Sequence, residues 1–222
     1  GNKDTSIVFY LTDIHNLSLF GHIRETSFDG SIKIVPGPKV VVPILEKAEL
    51  SFSEHFSYKE DKKRRKLVQW GCNVAELTVS QINVDSDEIK DTIMPLVDDL
   101  LLIVSFATRT RIACIRWTAY GNGKRLSSYR GNISIPRNEK RMSELVKREH
   151  QREYWPFAFN EFVKSPYKDM IRKAVYALVP GIDRALEEEF LSMFAGLEAV
   201  LLCYRQQHNM EVVFPLDEWK HK

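Results

Sequence analysis

The spacing of apolar residues changes near residue 85, and this change constrains the fold more than any other feature of the sequence. Up to that point, short segments rich in Val, Ile, Phe and Tyr are separated by turn residues such as Asp29-Gly30 and Pro36-Gly37-Pro38. Beyond it, apolar residues recur at every third or fourth position, as they do between Ile89 and Val104. The first pattern is typical of strands and the second of amphipathic helices. The sequence therefore predicts an α+β fold.

We predict that residues 1–136 form an antiparallel β-rich domain with one inserted long helix at about 86–106. The helix begins after the cap signal Asp85-Ser86, and Pro95 inside it is expected to kink or split it. A strand over Arg111–Tyr120 then turns at Gly121-Asn122-Gly123 and returns as a second strand. The number and spacing of the short strands favour an antiparallel sandwich or an open barrel.

Residues 137–222 are predicted to form a helical, bundle-like domain. Asn138 can cap a helix that includes residues 142–146, and Ser165-Pro166 is a strong start signal for the next one. The last long helix is expected to start near Asp183 and to end at about Gln207. The residues from Pro215 onward have the pattern of the first turn of another helix. We therefore expect this domain to be truncated at its C-terminus.

The formal charge of +2 is the sum of three unlike segments. Residues 1–106 and 153–222 carry more acids than bases, whereas residues 107–152 hold 12 Lys and Arg against 3 Glu. Such a basic segment attracts RNA or another polyanion, because each phosphate that a cation neutralises releases counterions. Aromatic residues lie among these cations, as in many surfaces that bind single strands. The candidate nucleic-acid-binding residues are Arg109, Arg111, Arg116, Lys124, Arg125, Arg130, Arg137, Lys140 and Arg141.

Internal ion pairing is the alternative role for the same cations. In that case they pair with acidic residues elsewhere in the fold, and no polyanion is bound. Strand alternation predicts that Arg111 and Trp117 share one face and that Arg116 and Tyr120 share the other, so that cations fall on both. We expect Trp117 to pack in the core.

A single acid interrupts the apolar part of the last helix. From Phe190 to Tyr204 this helix is apolar nearly all round, as a helix central to a bundle is, and Glu198 is the only ionisable acid inside it. An unpaired buried carboxylate is costly, so we expect a cation within salt-bridge distance. The pairing either fixes the helix register or marks a functional polar cleft. The candidate buried polar residues are Glu198, Arg172, Arg184 and Arg205.

The same helix carries a resemblance to a known family. Its aromatic-rich turn at Phe190 and Phe194, followed by Leu197-Glu198-Ala199, resembles the central helix of HEPN-like domains, in which Glu198 matches the helix carboxylate. The similar part covers about Tyr154–Gln207, and a β-rich domain before such helices is similar to the ApeA-type architecture of phage defence. The resemblance implies a defence or regulatory protein that binds or cleaves RNA.

The catalytic motif of that family is missing from the chain. Active HEPN nucleases carry an Arg followed four to six residues later by a His, whereas His208 follows Arg205 by only three positions. We therefore expect no RNA cleavage by these residues, unless a helix after Lys222 carries such a pair. The alternative function is a protein-interaction scaffold, with a β-sandwich as the partner-binding module and the helices as a homodimer interface.

No other chemistry is indicated by the spacing of reactive residues. The six His and three Cys show no metal-ligand spacing, and no phosphate-binding loop occurs, so we predict no metal and no cofactor. The apolar stretches are too short to cross a membrane. Cys72, Cys114 and Cys203 lie far apart, which favours buried thiols in a reducing cytoplasm.

Overall fold

The computed structural model describes residues 4–12, 23–26, 32–35, 40–45, 48–61, 66–80, 87–130, 144–179 and 186–210. Within these ranges the strands are β1 (Asp4–Leu11), β2 (Ile23–Thr26), β3 (Ile32–Val35), β4 (Val40–Leu45), β5 (Ala48–Asp61), β6 (Lys66–Ser80), β7 (Cys114–Gly121) and β8 (Lys124–Tyr129). The helices are a π-helical turn (Ile89–Ile93), α1 (Met94–Thr108), α2 (Arg148–Lys164), α3 (Lys168–Leu178) and α4 (Leu186–Gln207). The predicted α+β class is confirmed.

Six of the strands form one antiparallel sheet in the order β4-β5-β6-β1-β7-β8. The N-terminal strand β1 lies in the middle, where it pairs with β6 on one side and β7 on the other. The strands β2 and β3 form a separate hairpin. Because side chains alternate along a strand, the register divides the sheet into an inner face that is buried and an outer face that is largely half-buried or exposed, with Thr118 buried on it.

The core lies between the inner face of the sheet and the helices α1 and α2. Trp155 of α2 is fully buried and contacts the ring of Phe52 on β5 edge-on, with the centroids 5.2 Å apart. Trp117 is buried on β7, as predicted. The other large, fully buried side chains are Ile7, Phe9, Leu50, Leu77, Ile89, Ile93, Leu100 and Leu101.

The prediction of a sandwich or a barrel is wrong for the described strands. Helices, and not a second sheet, cover the inner face of the six-stranded sheet. Half-buried strands alternate in the same way whatever layer covers them, so their pattern does not distinguish a helical layer from a second sheet. Residues 136 and 137, the predicted domain boundary, lie outside the described residues, but α2 contributes Trp155 to the core of the sheet.

Two local predictions around α1 and the β7–β8 hairpin are confirmed. Pro95 lies at the junction between the π-helical turn and α1, where a proline in the first turn costs no hydrogen bond. Asn122 and Gly123 join β7 to β8 with φ angles of 51° and 70°. Positive φ at both central residues is typical of the type I′ turn, whose twist matches that of the strands.

The helix predicted over residues 142–146 is wrong in its described part. Residues 144–147 are not helical, and α2 begins at Arg148. The backbone N–H groups of Leu145 and Val146 instead donate to the carbonyl of Ala107 at the end of α1, at 3.0 and 3.2 Å. This segment therefore fastens the start of α2 to α1. The next start signal, Ser165-Pro166, lies two residues ahead of the observed start: α3 begins at Lys168, and the Ser165 hydroxyl accepts a bond from the N–H of Tyr167 in the turn before it.

Candidate functional site

The structure divides the candidate basic residues between the two sides of the sheet. Arg116 and Arg125 lie on the outer face, whereas Arg111 and Arg130 line a cavity on the helical side. The remaining predicted cations are placed as follows: Lys124 at the β7–β8 turn, Arg109 at the end of α1, and Arg137, Lys140, Arg141 and Arg184 outside the described residues. The described cations of the basic segment therefore do not form one continuous surface.

On the outer face, two arginines stack on two tyrosines from neighbouring strands. Tyr10 of β1 lies directly opposite Arg116 of β7, and the guanidinium is 3.8 Å from the ring centroid. Tyr120 lies opposite Arg125 of β8, with a separation of 5.7 Å. These cross-strand pairs keep the rings and charges side by side. We call this set of four residues the tyrosine–arginine face.

The tyrosine–arginine face is polar between its two stacked pairs, and it is open to solvent at the Tyr120–Arg125 end, whereas Thr118 in its middle is fully buried. The Thr118 and Ser127 hydroxyls lie between the pairs and share a hydrogen bond of 3.0 Å. Tyr120 and Arg125 are exposed, while Tyr10 and Arg116 are half-buried. The two pairs are four residues apart on β7, which corresponds to about 13 Å along the strand. Of the two rings, that of Tyr120 is the one exposed to a further planar group.

The connection between α1 and β7 brings Arg111 to the helical side. Arg109 ends α1 in the left-handed conformation, with φ at 53°. The Ser105 hydroxyl donates to the carbonyl of Leu101 at 2.6 Å and accepts the N–H of Ile112 at 2.8 Å. These bonds hold the reversal of the chain, so that the Arg111 guanidinium donates to the Tyr176 hydroxyl of α3 and lies 4.8 Å from its ring centroid.

A second arginine on the helical side of the sheet, Arg130, forms an ion pair with Asp98. The Arg130 guanidinium makes two hydrogen bonds to the Asp98 carboxylate, one of them at 3.0 Å, and these bonds raise the pKa of Arg130. Nearby, burial raises the pKa of the Cys114 thiol to about 12, and the Arg130 charge, which lowers this pKa, offsets only part of the rise. The thiol is therefore protonated at neutral pH, and a protonated, buried thiol is a poor nucleophile.

Asp99 is the buried carboxylate that forms an ion pair, although it was not among the predicted site residues. Its side chain is 5% exposed and accepts two hydrogen bonds from Arg172 of α3, at 2.7 and 2.9 Å. The Lys168 ammonium lies 3.0 Å from it, and the bonds to Asp99 raise the pKa of Arg172. The cluster joins α1 to α3. The sequence signal for Asp99 was an acid inside the apolar stretch of α1. The same signal led to the prediction for Glu198 in α4.

The prediction of a buried Glu198 with a cation beside it is wrong. Glu198 is exposed, no cation of the described residues lies within 4 Å of it, and Arg172 pairs with Asp99 instead. The reason is that α4 packs against α3 through a narrow stripe, which includes the buried residues Gly196 and Cys203. A Cβ atom on Gly196 would lie 2.9 Å from the Ala174 carbonyl oxygen, so only glycine allows this close approach. Glu198 lies off the stripe.

The rest of α4 exposes large apolar side chains. Arg205, which was predicted as a candidate buried polar residue, is half-buried near the C-terminal end of this helix. Isolated exposed apolar residues are ordinary on protein surfaces, but a contiguous patch on one helix is typical of an interaction site. The exposed apolar residues of α4 are Phe190, Leu191, Met193, Phe194, Leu197, Val200, Leu201, Leu202 and Tyr204.

No protein-family model matches the sequence, and no curated protein or solved structure is significantly similar to it. In the described part of the chain, no three His, Cys, Asp or Glu side chains lie together in a way that would hold a metal ion. No helix in that part is both long and apolar enough to span a membrane.

Proposed function

We propose that this chain binds single-stranded RNA on the tyrosine–arginine face of its sheet. The observation that carries the proposal is the pair of stacked contacts, Arg116 on Tyr10 and Arg125 on Tyr120. Every base has a flat face that can stack on an aromatic ring, and the neighbouring guanidinium groups attract the phosphates. The helices pack against the opposite face of the sheet, and the Tyr120–Arg125 pair is exposed to solvent.

The biological setting that we propose is an HEPN-like defence or regulatory protein of the cytoplasm. The setting follows from the resemblance of Tyr154–Gln207 to HEPN-like helices, and RNA binding by the sheet does not depend on it. The free thiols of Cys114 and Cys203 are both buried, which is consistent with a reducing compartment. No role in RNA cleavage is proposed for the residues present.

Titration of a fluorescein-labelled oligouridine by fluorescence anisotropy tests RNA binding. The wild-type protein is expected to bind at about 50 mM salt and to lose affinity steeply by about 200 mM. Tyr120→Ala should weaken binding about tenfold, because one stacked base is lost. Arg125→Gln should weaken it less and lower the slope of log K against log salt by about one.

Arg152→Gln is the matched control for Arg125→Gln. Arg152 belongs to the same basic segment and is exposed, but it lies on α2, on the helical side of the sheet. The control should bind like the wild type. The proposal is wrong if the wild type fails to bind at low salt, or if Arg152→Gln weakens binding as much as Arg125→Gln does.

A second candidate function, self-association through α4, is favoured by the apolar residues that this helix exposes. In this case α4 is the dimer interface of a scaffold protein. Light scattering after gel filtration should then give a dimer, and Phe194→Glu should convert it to a monomer, because a charge at a buried interface is costly. Phe157→Glu on α2 is the control, since Phe157 is equally exposed and should leave the dimer intact. A monomeric wild type would exclude this function.

A further inference from the structure

A cavity of about 590 Å³ lies on the helical side, between α1, α3 and the segment that leads into β7. Its apolar wall includes Leu101, Leu102 and Ile112, and its charged rim includes Arg111 and Arg130. The size falls within the range of pockets that hold small organic molecules. Apolar walls with a few fixed polar groups are typical of such pockets.

The charges of the cavity do not cancel. Three guanidinium groups line it, and two of them have carboxylate partners: Arg130 pairs with Asp98, and Arg172 pairs with Asp99. Arg111 differs, since no carboxylate of the described residues lies within 4 Å of it. Its partner is the neutral Tyr176, whose hydroxyl and ring hold the guanidinium in place. The described residues that line the cavity therefore carry one positive charge in excess.

We propose that this cavity binds a small organic anion, whose carboxylate or phosphate pairs with Arg111. The planar guanidinium matches either group through two parallel hydrogen bonds, and Tyr176 already orients it. The apolar body of the ligand lies against Leu101 and Leu102. Asp98 and Asp99 do not repel the ligand strongly, because Arg130 and Arg172 neutralise them.

The ligand site is independent of RNA binding and goes beyond it. Arg111 lies on the helical side of the sheet and Arg125 on the outer face, so one side chain can be changed without touching the other site. If RNA binding is disproved, the proposal of an anion site is unaffected, and the converse also holds. Loss of RNA binding in Arg125→Gln should leave the anion bound, and loss of the anion in Arg111→Gln should leave RNA binding unchanged.

Calorimetric titration of the full chain with three naphthalene probes tests the proposal. The probes are 1-naphthoate, 1-naphthyl phosphate and the neutral 1-naphthamide. Each anion should bind at least about tenfold more tightly than the amide, because only an anion pairs with Arg111. Inorganic phosphate should compete at least about tenfold more weakly than naphthyl phosphate, because it lacks the apolar body. The stronger of the two anions indicates whether the natural ligand carries a carboxylate or a phosphate.

Arg111→Gln should remove the preference for the anions, and Arg125→Gln is its matched control. An independent measurement on the wild type follows the side-chain Nε–Hε signals of arginine by NMR while 1-naphthoate is added. The largest shift should belong to Arg111. The proposal is overturned if the amide binds as tightly as the anions, if a folded Arg111→Gln keeps the anion preference, or if the shift falls on Arg125.

Discussion

Trp155→Ala is expected to destabilise the fold by about 3–5 kcal/mol. This loss is a large part of the total free energy of unfolding of many domains. Trp155 is fully buried, and its ring joins α2 to the sheet through Phe52. Its removal leaves a cavity at the point where the helical layer contacts β5. The measurement is urea unfolding followed by circular dichroism, since tryptophan fluorescence changes with the substitution itself.

Trp155→Phe is the matched control for this prediction. The phenyl ring keeps most of the contact with Phe52, and the indole Nε1 that it removes has no hydrogen-bond acceptor among the described residues. The smaller ring loses some packing, but it also removes a buried donor without a partner. We expect a net cost below about 1 kcal/mol. A loss as large as that in Trp155→Ala would contradict the stated role of an aromatic ring beside Phe52 in joining α2 to the sheet.

Asp99→Asn is expected to cost about 2–3 kcal/mol of stability, because it removes the charge that Arg172 and Lys168 share. The expected loss of stability is smaller than for a fully buried ion pair, because Arg172 and Lys168 are partly exposed and can be hydrated once the Asp99 charge is removed. The expected loss should appear in the same unfolding experiment, as a lower urea midpoint with an unchanged slope.

Asp98→Asn is the neighbouring control for Asp99→Asn. Asp98 and Arg130 are each more than a third exposed, and such surface pairs contribute less than about 1 kcal/mol. The two adjacent substitutions make the same chemical change at positions that differ in burial. Equal losses in the two variants would contradict a special role for Asp99 in joining α1 to α3.

The strands and the hairpin could be predicted because their signals are local. The alternation in β1, the turn at Asn122-Gly123 and the break at Pro95 each depend on a few neighbouring residues. The layer that covers the sheet could not be predicted in the same way, because it depends on contacts between residues distant in sequence. Trp155 and Phe52, for example, are 103 positions apart in the sequence.

The buried ion pair illustrates the same limit. An acid inside an apolar helix is a sound signal of a buried pair, and Asp99 fits it, whereas Glu198 does not. The difference is that α1 lies between the sheet and α3, while the described contacts of α4 are with α3. Gly196 was a usable signal, since a glycine at helical spacing from Cys203 marks the side of α4 that approaches a neighbour closely.

The basic segment was predicted to place cations on both faces of its strand, and Arg111 and Arg116 do lie on different sides of the sheet. Arg111 precedes β7 and turns toward α3, while Arg116 lies within β7 and faces outward. Alternation correctly separated these two arginines. It could not identify Tyr10 as the ring beside Arg116, because β1 pairs with β7 only through the topology of the sheet.

Photo-crosslinking to RNA is the most direct test of whether the sheet binds single strands. An oligouridine that contains 4-thiouridine would be irradiated with the full chain at low salt, and the crosslinked peptides identified by mass spectrometry. We predict crosslinks at Tyr10 and Tyr120, which disappear at high salt and are reduced in Tyr120→Ala. Crosslinks confined to α2, α3 or α4, or the absence of any crosslink at low salt, would contradict RNA binding by the tyrosine–arginine face.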